Sequence, residues 1–110
     1  MSNIRTDVTV QWGGSDYRFM LGDDEIIALE RRLFMSIGEI FIAVQSGRWK
    51  LEMLYHIIRM GLIGGGTSPG KAMHLCQTYV HEKALTSAED SPETLAQAIL
   101  AARFVGVEES

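Results

Sequence analysis

Cysteine is almost missing from this chain. Cys76 stands alone, so no disulfide can form within the chain, and a reducing compartment is its natural home. Long apolar runs are missing too. None exceeds the length of residues 40–44, far short of the roughly 20 residues that cross a bilayer. The first ten residues hold no signal-peptide core, and the expectation is a soluble protein made and kept in the cytoplasm, with no membrane partner. Basic charge is the minority sign. The net charge of −4 gives no cationic stripe to displace counterions from phosphates, which argues against a nucleic-acid partner. Proline occurs twice, at Pro69 and Pro92, each time just after a serine.

What is present fits one globular domain spanning residues 1–110. A chain of 110 residues with 46% hydrophobic and 22% charged residues is neither disordered nor fibrous. A domain of that size can withdraw about two-thirds of its unfolded surface from water.

The chain opens with two runs of period two. Val8, Val10 and Trp12 recur at every second position, and so do Tyr17, Phe19 and Leu21. Gly13-Gly14-Ser15-Asp16 separates them with residues that tolerate positive φ. This predicts an antiparallel β-hairpin over about 7–21 whose apolar face must be covered by helices.

The period then lengthens to that of a helix, and about five helices are expected over 24–105. Asp23, Asp24 and Glu25 place negative charge at a helix start. Ile26, Leu29 and Leu33 follow at helical spacing, with Ile27 and Phe34 beside them. Ser36-Ile37-Gly38-Glu39 has the form of a capping box and opens a second helix through Ile40, Phe41 and Val44, closed by Gly47. A third helix is read over 49–60, ended by Gly61. Ser68-Pro69 and Ser91-Pro92 each pair a cap with a proline at the first helical position. They start helices expected to run to about residue 85 and over 93–104, with the polar stretch 86–90 between them. The fold class is α+β, a two-stranded hairpin packed on a mostly helical domain.

The residues that could carry chemistry do not assemble. Gly65-Gly66-Thr67-Ser68-Pro69-Gly70-Lys71 matches the start of a phosphate-binding loop, but Ala72 stands where the magnesium ligand belongs and a helix precedes the loop where a strand is needed. His74, Cys76 and His81 have the wrong spacing for a helical metal site, and His56 is isolated. Cys76 sits mid-helix, away from anything that would lower its pKa. Glu30 lies at the edge of an apolar stripe, in water or within reach of an arginine such as Arg59. No catalytic residue, metal or cofactor is expected.

The helix over 49–60 carries more apolar residues than one buried face requires. Leu51, Leu54, Tyr55 and Ile58 form one stripe, and Met53, Ile57 and Met60 a second. Such a helix is either central in the bundle or uses its second face for a partner, methionine being adaptable there. Trp49, Met53, Ile57 and Met60 are the candidate partner-binding surface.

Tyr17-Arg18-Phe19-Met20-Leu21, Ala28-Leu29-Glu30, Ser36-Ile37-Gly38-Glu39-Ile40 and Arg59-Met60-Gly61-Leu62-Ile63-Gly64-Gly65-Gly66 follow in an order that resembles a family of small proteins from the tail gene clusters of gene transfer agents and related prophages. The likeness extends from about Val8 to Gly106. It implies a non-enzymatic role in building a phage-like tail, either as an assembly chaperone for the tape-measure protein or as a tail tube or connector subunit. Incorporation into phage-like particles and self-association into a homo-oligomer are compatible with it. The chaperone role is preferred on physical grounds. A long apolar tape-measure protein needs cover until a tube surrounds it, and a tube subunit should be richer in strands than this chain.

Overall fold

The computed structural model of the chain describes residues 4–86 and 90–108. In chain order it contains β1 (Ile4–Arg5), β2 (Asp7–Trp12), β3 (Ser15–Met20), α1 (Asp23–Leu33), α2 (Ile37–Gln45), α3 (Leu51–Gly64), α4 (Pro69–Tyr79), α5 (Pro92–Phe104) and β4 (Val107–Glu108). The expected α+β class holds, with an N-terminal hairpin and five helices.

β2 and β3 pair antiparallel, with Val8 opposite Phe19 and Val10 opposite Tyr17. Gly13 and Gly14 form the two-residue turn with φ of +60° and +82°, a conformation that matches strand twist and that a side chain resists. The apolar face of the hairpin turns inward as the alternation requires. Trp12, Phe19 and Leu21 are buried, with Val8, Val10 and Tyr17 packed against them. The Trp12 ring meets Tyr17, Phe19 and Tyr79 edge-on at centroid distances of 5.9, 5.7 and 5.5 Å.

α3 is the central element and touches β3, α1, α4 and α5. It also runs past its expected end. Gly61 does not stop it. A Cβ there would meet Ile99 Cδ1 at 3.2 Å and Phe19 Cδ2 at 3.3 Å, so the bare backbone admits α5 and β3 to close range. Further along, a Cβ on Gly64 would overlap the Met20 carbonyl oxygen, and one on Gly65 the Arg18 carbonyl oxygen. The glycine run is therefore a ridge without side chains on which β3 lies, rather than a flexible break. The chain turns only at Gly66, with φ of +112°.

The start signals fall where expected, although the Ser91 hydroxyl, at the N-cap of α5, donates to Thr94 Oγ1 at 3.2 Å and does not cap the backbone. Ser36 Oγ accepts from the Glu39 N–H at 3.1 Å, while Glu39 Oε1 accepts from the Ser36 N–H at 3.2 Å. Ser68 caps α4 by accepting from the Lys71 N–H, and prolines occupy the first turns of α4 and α5. Glu30 departs from its expected role. Its Oε2 accepts from the Ile37 N–H at 2.9 Å, so α1 caps α2 and no Arg59 pair forms.

One further boundary is corrected. α4 ends at Tyr79, not near residue 85. Val80 is buried against the core, and Glu82 takes φ of +63°. That turns the chain back so that the Leu85 carbonyl accepts from the Glu93 N–H at 3.1 Å at the head of α5. Of the polar stretch 86–90, residues 87–89 lie outside the described residues. β1 and β4 form an antiparallel pair that the sequence does not announce, Ile4 opposite Glu108 and Arg5 opposite Val107. Strands of two residues carry no periodicity to read.

Candidate partner-binding surfaces

The four residues expected to face a partner have separate fates. Met53 and Ile57 are in the core, at 5% and 0% exposure, because α3 is covered on most of its circumference by β3, α1, α4 and α5. In this fold they are unavailable to a partner. Trp49 is half-buried against the core, and its Nε1–H donates to Glu93 Oε2 at 2.7 Å, which ties the start of α3 to α5. Met60 is half-buried and lines a groove between α1 and α3. The second stripe of α3 is therefore chiefly core, the central-helix alternative.

Exposed apolar surface lies instead around α2 and the end of α5. Phe41 stacks on Phe104 with ring centroids 4.0 Å apart. Ile26, Ile37, Arg103 and Phe104 line a shallow recess of about 250 Å³ beside them. Val105 is 74% exposed, and Ile42, on the outer side of α2, is 66% exposed. The Arg103 guanidinium sets the geometry of this corner. It donates to the Leu21 carbonyl at 2.7 Å and to Asp23 Oδ1 at 2.6 Å, fixing the end of α5 beside α1.

Phe34 is the extreme case. It closes α1 with φ of 54° and ψ of 40°, the left-handed region, and is 92% exposed. A helix commonly ends in that conformation, but on glycine or asparagine. A bulky side chain there is a genuine conformational outlier, destabilised by roughly 1–2 kcal/mol. Phe34 recovers little of this by burial within its own chain.

The α1–α3 groove differs in character. Ala28, Leu29, Arg31, Arg32, His56, Arg59 and Met60 line a volume of about 410 Å³. His56 sits against Arg59, its Nδ1 3.4 Å from a guanidinium nitrogen, with the Tyr55 ring edge-on at 5.0 Å. Burial pulls the imidazole from the ordinary 6.5 down to about 4. The positive charges of Arg59 and Arg32 push the same way, and Glu52 partly opposes them. Between pH 6.5 and 4 the unfolded imidazole therefore takes up a proton that the folded one refuses. Stability from this source is complete above the unfolded pKa and falls as the pH drops through that window. A proton-detected titration should place the His56 midpoint near 4, and its replacement by glutamine should flatten the acid limb of the stability profile.

The remaining chemistry-bearing residues stay apart. Cys76 is fully buried, and desolvation raises its thiol to about 12, so it stays protonated and unreactive at neutral pH. His74 is exposed, and His81 lies over Tyr55 at 4.9 Å. Among the described residues no His, Cys, Asp and Glu cluster could hold a metal ion. The loop before Lys71 joins helix to helix, and the Lys71 ammonium sits 5.7 Å from the Tyr17 ring. No helix among the described residues is long and apolar enough to cross a membrane.

The family model described as phage tail tube protein, GTA-gp10, matches residues 5–106. No curated protein and no solved structure matches the chain. The chain belongs to that phage tail family, and its role is structural or assembly work in a phage tail.

Proposed function

We propose that this member of the phage tail tube family acts without catalysis as a tail assembly chaperone, covering apolar surface of the tape-measure protein in the cytoplasm until the tube forms around it. The observation that carries this reading is Phe34, held strained and 92% exposed at the corner between α1 and α2. Ile42 is exposed on the next helix, and Phe104 and Val105 are exposed at the end of α5. Large apolar side chains left in water mark a contact for another molecule when the chain's own core is already complete. Strain retained without internal burial points the same way. The modest strand content also favours a covering role, since the described strands make only two separate two-stranded pairs.

Co-expression with the tape-measure protein of the same particle provides the test. The expected result is a soluble complex of the two and aggregation of the tape-measure protein expressed alone. If the tape-measure protein is equally insoluble with and without this chain, the chaperone reading is lost.

A second reading, a tube or connector subunit, is supported by a different feature. Among the described residues β2 pairs only with β3, so the outer edge of β2 offers unpaired backbone groups to another strand. This reading expects rings of the purified chain by electron microscopy and its presence in finished particles.

A further inference from the structure

We propose that the groove between α1 and α3 binds a peptide segment of a partner protein that is rich in carboxylates and carries apolar side chains, with Arg31, Arg32 and Arg59 as its charge partners. The cations of this chain fall into distinct groups. Arg18 is paired with Asp7 at 2.6 Å and Arg103 with Asp23 at 2.6 Å. Arg31, Arg32 and Arg59 have no carboxylate within ion-pair distance among the described residues, although acids outnumber bases in the chain.

Helix electrostatics explains part of this. Arg31 and Arg32 occupy the last turn of α1, where a cation is favoured. It does not explain Arg59, which lies in the middle of α3, half-buried, beside an imidazole that offers no negative charge. A partly desolvated guanidinium gains most from a carboxylate placed against it. The acids nearby are engaged or distant. Glu30 is held by the Ile37 N–H, and Glu52, exposed in the first turn of α3, forms no ion pair with these arginines.

Shape narrows the ligand. The floor is apolar, with Ala28, Leu29 and Met60. A second recess of about 240 Å³ adjoins it, sharing Arg32, His56 and Arg59 and adding Tyr55 and Met73. Two connected recesses with mixed walls suit a chain segment that alternates acid and apolar side chains better than a lone anion. The net charge of −4 disfavours a polynucleotide. Ile26 opens toward α2 and α5, whereas Ala28 and Arg32 open toward α3, so this groove and the apolar corner lie on opposite flanks of α1. The proposal therefore stands independently of the chaperone reading.

The test uses the whole chain and a fluorescently labelled helical peptide of glutamate and leucine, compared with the same peptide carrying glutamine for glutamate. The glutamate peptide should bind, with the His56 ring resonances shifting on addition. The glutamine peptide should bind at least about tenfold more weakly. The double variant Arg31→Gln, Arg32→Gln changes exposed side chains only; it should weaken the glutamate peptide by a similar factor and lower the melting temperature by no more than the lost helix-end contribution of two cations. Arg59→Gln should weaken it as well. Equal binding of both peptides, unchanged binding by the double variant, or failure of the glutamate peptide to bind would each overturn the proposal. So would capture of oligothymidylate or inorganic phosphate at these arginines in place of the peptide.

Discussion

Gly65→Ala should destabilise the chain by about 3 kcal/mol or more, and Gly64→Ala by a similar amount, because the added methyl meets backbone and not a side chain that can swing away. At Gly64 the obstacle is the Met20 carbonyl, and at Gly65 the Arg18 carbonyl, both on β3. Relief would require lifting the strand off α3, which would pull Phe19 and Leu21 out of the core. Gly61→Ala should fall between these and neutral, since its obstacles at 3.2 and 3.3 Å are Ile99 and Phe19 side-chain atoms that can shift by tenths of an ångström. Gly70→Ala is the control. Nothing lies within 4 Å of its Cβ position in the first turn of α4, so lower unfolded-state entropy should make the protein about 0.5–1 kcal/mol more stable. Urea midpoints at constant slope give the ranking. Equal midpoints for Gly65→Ala and Gly70→Ala would show that β3 does not lie on the glycine ridge.

The same residues show what the sequence could and could not convey. Signals that act within a few residues were legible. The alternation of Val8 to Leu21, the Ser36–Glu39 box and the two serine–proline starts each depend on neighbours in the chain, and each appears where expected. Gly61 to Gly66 read as a break because glycine weakens a helix locally. Here a strand more than forty residues earlier in the chain decides the matter, by needing a helix surface without side chains. The end of α4 was misplaced for a related reason. Val80 reaches the core, and Leu85 must return to cap α5, and neither demand is written in helix propensity. The partner surface was the least legible part. Periodicity reports which faces of α3 are apolar, but Met53 and Ile57 are hidden by elements whose arrangement the pattern does not contain. The groove arginines were equally silent, since Arg31, Arg32 and Arg59 become a cluster only when α1 lies beside α3. Phe34 left only a trace: it reads as a neighbour of the α1 apolar stripe, whereas the structure places it past the helix in left-handed backbone and in water. It follows a helix and stands two residues before a serine cap, at a position where left-handed backbone and glycine are the usual solution.

That trace leads to an expected result in which stability and function move in opposite directions. Phe34→Gly should stabilise the isolated chain by about 1 kcal/mol, because glycine adopts φ of 54° without the steric penalty and little burial is lost from a side chain already 92% in water. In the proposed capture of the tape-measure protein the same change should weaken binding by roughly thirtyfold or more, the loss typical of an aromatic hot spot at the centre of an interface. Ile42→Asp should also weaken capture with a stability change within about 0.5 kcal/mol, since it too is exposed. Thermal melts and a pull-down on the same preparations measure both quantities. A Phe34→Gly variant that melts higher and captures its partner undiminished would show that the strained ring serves no contact there. A variant that melts lower would show that Phe34 is held by packing that its exposure does not register. Only the combination of higher melting and lost capture fits a side chain kept in an unfavourable conformation for the benefit of a complex, since selection for the free chain alone would favour glycine at that corner.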